Sequence, residues 1–162
     1  MIKKRVERSV YCWLITALSV ALMCGIFVYV LKQTDNLPAI WILGTFIVFL
    51  FLSTLFYMPL SVSLDKDNLN IIRPIRVGYI SLSEIRDVRL CPPTVGAKTI
   101  FGSGGWFGWY GWFSERDTGR YFAYYGKASD CFIVTLENGQ KYMLGCKDAA
   151  EMVEAIKERL SH

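Results

Sequence analysis

Hydrophobic residues are distributed along the chain in two regimes, continuous as far as Leu60 and alternating beyond it. From Val10 to Leu31 the run VYCWLITALSVALMCGIFVYVL is uncharged, and so is AIWILGTFIVFLFLSTLFYMPL from Ala39 to Leu60. As helices rising about 1.5 Å per residue, each run extends to about 33 Å, enough for a hydrocarbon core of about 30 Å. Two membrane-spanning helices are therefore predicted, over residues 10–31 and 39–60, joined by the short KQTDNL segment. The first run is longer than the roughly 7–15 apolar residues of a secretory leader, and it passes Leu22, Met23 and Cys24 without a small-residue cleavage site. On it Ala17, Ala21 and Gly25 recur every four positions, a stripe that permits close backbone approach. The stripe can face the second helix or another protomer, and because a short connection favours antiparallel neighbours the second helix is expected.

After Leu60 the alternation predicts short strands: SVSL, then LNII beyond a DKDN turn, then RVGYIS. SLSE suits a single helical turn before IRDVRL, where Ile85, Val88 and Leu90 all point inward only if a bulge intervenes. GRYFAYYG, CFIVTLE and KYMLGC complete a set of seven strands, the last two joined across Asn138-Gly139, a strong hairpin signal. The chain closes on DAAEMVEAIKERL, with Asp148 and Glu151 at capping-box spacing and Ala149, Met152, Val153, Ile156 and Leu160 on one stripe.

One segment fits neither period. FGSGGWFGWYGWF, residues 101–113, holds five glycines, seven aromatics and no charge. Glycines would weaken a strand ladder and cost about 1 kcal/mol each in a helix, so a loop is predicted. Its rings, each able to bury about 150–250 Å², need shelter. Three shelters are open: the loop folds over an open barrel edge, with Trp106, Trp109 and Trp112 completing the core; it dips into the membrane interface; or it docks a partner protein. Phe107, Tyr110 and Phe113 belong to the same surface, and Arg116 and Arg120 stand at its margin.

Charge sets orientation. Lys3, Lys4, Arg5 and Arg8 precede the first apolar run, and Lys66, Arg73 and Arg76 follow the second, which predicts both termini on the cytoplasmic side. Tyr11, Trp13, Tyr29, Trp41 and Tyr57 fall near the ends of the runs, as interfacial rings do. The net charge of +4 lies mainly in the N-terminal arm, which topology and anionic headgroups account for, with no call for nucleic acid. Five cysteines without CxxC spacing read as small buried residues. The only histidine is His162, no GxGxxG or GK[ST] motif occurs, and Ser103 lacks a nucleophile-elbow setting. An enzyme, a metal site and a cofactor are accordingly not expected.

The run FGSGGWFGWYGWF, followed by GRYFAYYG, a hydrophobic strand, an ENGQKY hairpin and a helix opening with DAAE, resembles the bacterial pleckstrin-homology (PH) domain membrane proteins of unassigned function. The resemblance covers residues 61–162 and implies a PH-like, seven-stranded antiparallel barrel capped by its C-terminal helix. Phosphoinositide recognition through clustered bases in the first hairpin is not expected, because Lys66 stands between Asp65 and Asp67. The expected organisation is α+β: a basic cytoplasmic arm (1–9), a transmembrane hairpin (10–60) and a cytoplasmic PH-like domain (61–162) in a bacterial inner membrane. The expected role is a scaffold that self-associates or docks another membrane protein through the glycine-aromatic loop, with membrane lipids as surroundings. The alternative is a module that binds a lipid or apolar ligand at the inner leaflet.

Overall fold

The computed structural model describes residues 2–94 and 96–161; His162 lies outside the described residues. Strand β1 (Ile2–Arg5) leads into α1 (Val10–Gln33), whose N-cap Ser9 accepts from the Cys12 N–H at 3.1 Å. Helix α2 (Leu37–Tyr57) starts at the Asn36 cap with Pro38 in its first turn, where a missing N–H costs nothing. Both helices are long and apolar enough to cross a membrane, and on them only Cys12, Thr16 and Thr54 are buried. They meet through Phe27, whose ring lies 3.6 Å from where a Gly44 Cβ would stand. The expected small-residue seam does not form. Ala17, Ala21 and Gly25 are exposed, and nothing lies within 4 Å of a Cβ built on Gly25. A large ring seated on a small residue of α2 takes the place of close backbone approach.

Beyond the helices follow β2 (Ser61–Leu64), β3 (Asn68–Ile72), β4 (Val77–Ser81), β5 (Ile85–Leu90), β6 (Lys98–Gly104), β7 (Trp109–Glu115), β8 (Gly119–Tyr125), β9 (Cys131–Leu136), β10 (Lys141–Gly145) and α3 (Ala149–Leu160). They build two sheets, β1-β2-β3-β4 and β5-β9-β10-β8-β7-β6. The described strands thus number ten rather than seven, in two sheets that do not close into a barrel. Nor is the larger sheet wholly antiparallel, since β10 pairs with β8 in parallel.

Three strands go beyond what the alternation predicts. The basic arm supplies β1, in register with β2 from Ile2↔Leu64 to Arg5↔Ser61. The glycine-aromatic segment supplies most of β6 and β7, a hairpin in place of the expected loop. The reason lies in Gly102 and Gly111, which are cross-strand partners with φ of +140° and +119°. A Cβ on Gly102 would strike the Tyr110 carbonyl oxygen, and one on Gly111 the Phe101 carbonyl oxygen. Glycine is costly in a flat strand, but here a paired kink requires it. The kink leaves Tyr110 and Phe113 buried on opposite faces of the sheet.

The main core fills the space between the sheets and α3, with Leu64, Leu69, Phe132, Leu144, Met152 and Ile156 at its centre. A second cluster on the other face of the larger sheet joins Phe113, Tyr121, Tyr125, Ile133 and Met143. Buried Glu115 edges it, accepting from the Tyr121 hydroxyl at 2.6 Å and the Thr94 N–H at 3.3 Å. The register shift in β5 between Ile85 and Asp87 buries Ile85 and Val88 but leaves Leu90 exposed. At the start of α3 the capping box is absent: Asp148 is left-handed and makes no side-chain cap. Lys4 of β1 takes both carboxylates instead, at 3.3 Å from Asp148 and 2.6 Å from Glu151.

Two outcomes are expected in thermal unfolding of the detergent-solubilised full chain. Gly111→Ala combines left-handed strain with a backbone collision and is expected to cost more than about 3 kcal/mol, whereas Gly139→Ala, with φ +82° and open space around it, costs about 1 kcal/mol. The second concerns pH. Burial raises the Tyr121 hydroxyl, which also donates to Glu115, and burial pushes the Cys146 thiol from 9.0 up to about 12. A group raised in the folded state stabilises it below its unfolded pKa and loses that contribution as pH climbs to the folded one. The unfolding midpoint is expected to hold up to about pH 9 and to fall between there and about pH 12.

Candidate functional site

The turn of the β6–β7 hairpin, residues 105–108, closes with the Gly105 N–H on the Gly108 carbonyl at 3.2 Å, and Phe107 takes φ +54°. From inside the hairpin the Ser103 hydroxyl contacts the carbonyls of Trp106 and Gly108 at 3.0 and 3.2 Å. This tip docks on the helix pair through two threonines. Thr54 of α2 gives its proton to the Leu50 carbonyl at 2.9 Å and accepts from Trp106 Nε1 at 2.7 Å. Thr16 of α1 bonds back to the Cys12 carbonyl at 2.8 Å and accepts from the Phe107 N–H at 2.9 Å. Thr16 and Thr54 are 5% and 3% exposed, the two buried hydroxyl side chains in otherwise apolar helices.

Rings surround these bonds. Tyr11 stacks on Trp109 at 6.0 Å, Phe51 meets Trp106 edge-on at 5.6 Å and Tyr57 stacks on Tyr110 at 6.1 Å. Each such pair contributes about 0.5–1.5 kcal/mol beyond its buried area. Two arginines flank the dock: Arg8 Nε donates to the Phe107 carbonyl at 3.1 Å, and Arg73 Nη1 reaches the Phe56 carbonyl and the Tyr124 hydroxyl, each at 3.4 Å. Thr16 stands about 9 Å along α1 from its first residue and Thr54 about 5 Å from the last of α2, so the tip lies beside the apolar length of both helices.

Between the helices and the sheet lies a cleft of about 1100 Å³. Ile15, Ser19 and Met23 line it from α1, and Phe49, Ser53 and Tyr57 from α2. The sheet contributes an aromatic row across three strands, Phe101 paired with Trp112 and Trp112 with Phe122. Trp112 meets Phe122 edge-on at 5.2 Å, and the Arg120 guanidinium lies 5.6 Å over the Trp112 ring. Phe101 is 80% exposed, so this row is open to an occupant. Its polar side chains are mostly hydroxyls, from Ser19, Ser53, Thr54, Tyr57, Thr99, Ser103 and Tyr110, the last with its pKa raised by burial. A mainly apolar wall dotted with hydroxyls is chemistry that suits a hydrocarbon-bearing ligand.

The eight residues expected at the interaction surface separate in the structure. Trp106, Phe107, Trp109 and Tyr110 lie against the chain's own helices, Phe113 enters the second core, Trp112 lines the cleft, Arg120 is exposed with its guanidinium over the Trp112 ring, and Arg116 is exposed in the β7–β8 turn. Thr16, Thr54, Arg8 and Arg73 join the site without any motif to announce them. The threonines do carry a signal, since polar side chains in a membrane helix commonly bond a neighbouring element. Among the described residues no group of three or more His, Cys, Asp or Glu is placed to hold a metal. Burial raises the Cys131 and Cys146 thiols, which leaves them protonated and poor nucleophiles at neutral pH.

Thr54→Val keeps the shape of the helix and strands the Trp106 N–H. It is expected to cost about 1–3 kcal/mol in thermal unfolding of the full chain, whereas Thr45→Val, on an exposed face of α2, is expected to leave the midpoint unchanged.

A family model described as bacterial PH domain matches residues 60–160. No curated protein and no solved structure matches the chain. Since the match takes in β2 to α3 and well over half of the sequence, the chain belongs to the bacterial PH domain family, with two apolar helices preceding the domain.

Proposed function

We propose that the chain is a membrane-anchored lipid-binding module of the bacterial inner membrane, whose PH domain is held against its own helix pair so that a hydrocarbon chain from the adjoining leaflet enters the cleft between them. The observation that carries this reading is the cleft itself: one wall is made of helices apolar enough to cross a membrane, the other of the Phe101–Trp112–Phe122 row. Its volume, about 1100 Å³, is just above the roughly 300–1,000 Å³ of ordinary ligand sites. In this reading the domain and both termini are cytoplasmic, in line with the basic residues flanking the helices, and the module binds rather than catalyses.

Docking of a protein partner or a second copy is the other reading. What favours it is β6, the outermost strand of its sheet, which presents Ile100 at 50% and Phe101 at 80% exposure. Against the glycine-aromatic tip as the contact stands its occupation: Trp106 and Tyr110 are already covered by α2.

Photolabelling the full chain in nanodiscs with a phospholipid bearing a diazirine in its acyl chain separates the two. Label is expected on Met23, Phe49 and Trp112 in excess over Trp41 at the far end of α2. Ser19→Phe, which fills the cleft with an apolar ring, is expected to lower cleft labelling several-fold. Equal labelling around both helices, unmoved by Ser19→Phe, would sink the lipid reading; cross-links between copies through β6 would establish the other.

A further inference from the structure

The turn between β3 and β4, Arg73-Pro74-Ile75-Arg76, stands apart from the cleft and from the β6 edge. We propose that it is a second membrane contact, lying on the surface of the leaflet on the domain's side and selecting anionic phospholipid there. The proposal rests on the two helices spanning a bilayer and is independent of what fills the cleft.

Position comes first. Strand β3 runs back toward the helices, the Leu60 N–H donates to the Ile72 carbonyl at 2.9 Å, and Arg73 Nη1 reaches the carbonyl of Phe56. Phe56 is in the last turn of α2, so the β3–β4 turn stands level with the point where that helix leaves its apolar environment. A cation at a helix C-terminus is also favoured by the unpaired carbonyls there.

Composition comes second. Ile75 and Val77 are each 53% exposed, and Tyr79, two residues further along the same face of β4, is 78% exposed. An aliphatic tip, a tyrosine and the exposed Arg76 form an interfacial set, with the ring and aliphatic groups at headgroup depth and the Arg76 guanidinium among phosphates, while Arg73 holds the turn against Phe56 and Tyr124.

Charge comes third. No acidic residue occurs from Leu69 to Leu82, and none of the ion pairs among the described residues involves Arg76. Arg5 and Arg8 lie toward the same end, because Arg5 pairs with Ser61 and the Ser9 N–H donates to the Gly126 carbonyl just before α1. Asp65 and Asp67 occupy the opposite turn of the sheet, a strand's length away. The end of the four-stranded sheet that meets the helices thus gathers Arg5, Arg8, Arg73 and Arg76 against Glu7, whereas at the far turn Lys66 and Arg159, whose guanidinium donates to the Asp65 carbonyl at 2.6 Å, offset Asp65 and Asp67; the excess positive charge lies at the helix end, complementary to an anionic surface.

The test uses the full chain in nanodiscs of phosphatidylcholine alone or mixed with phosphatidylglycerol, read by backbone hydrogen exchange over residues 73–79. Exchange is expected to slow several-fold in the anionic discs, to recover in high salt, and to stay unchanged over the β2–β3 turn. Arg76→Gln removes one unpaired charge and is expected to reduce the protection about five-fold, while Ile75→Ser weakens it in both lipids. Equal exchange in the two kinds of disc, or protection that Arg76→Gln leaves intact, would overturn the proposal.

Discussion

Two buried hydroxyl groups seat the domain on its helix pair. Thr16 and Thr54 are the buried hydroxyls of the two helices, and the hairpin tip delivers two donors to them, the Trp106 indole and the Phe107 amide. In a poorly hydrated setting neither donor has water as an alternative, so the bonds fix where the domain sits. The stacked rings of Tyr11, Tyr57, Trp109 and Tyr110 then complete a contact whose direction the threonines have set. The cleft follows from this geometry, because a sheet pinned at its tip leaves the rest of its aromatic face standing off the helices.

The hairpin can reach that far because of its glycines. Paired at Gly102 and Gly111, they let two backbones pass at a separation that any side chain would forbid. Around them the aromatic residues of 101–113 are parcelled out in three directions: toward the helices, toward the cleft and into the second core. A single uncharged stretch thereby serves as anchor, wall and interior.

Unbroken apolar runs are enough to make the helices legible in the amino-acid sequence, and Asn138-Gly139 marks the β9–β10 hairpin, where Gly139 has φ +82°. Of the stripe expected on α3, Ala149, Met152, Val153 and Ile156 form the buried face, while Leu160 in the last turn is exposed. What stays hidden depends on partners distant in sequence. Lys4 lies 144 residues from Asp148, and its pull on both carboxylates replaces a cap that local spacing implies. Local propensity likewise counts the cost of each glycine singly, whereas Gly102 and Gly111 act as a cross-strand pair. The parallel β8–β10 pairing leaves no mark on the alternation of either strand. The site residues Thr16 and Thr54 look like minor interruptions in two greasy runs, because their partners come from a segment about 50 to 90 residues further on.

The pairing of β1 with β2 ties the order of assembly to the helix pair. One strand is made before the helices and its neighbour after them, so β1 cannot join the smaller sheet until the chain has passed through both helices. The stretch ahead of α1 waits unpaired while some fifty residues are synthesised. A version cut away from its helices would also lose this lace: β2 would become a bare margin, its amide row open to any passing strand, and Asp148 and Glu151 would have no lysine between them.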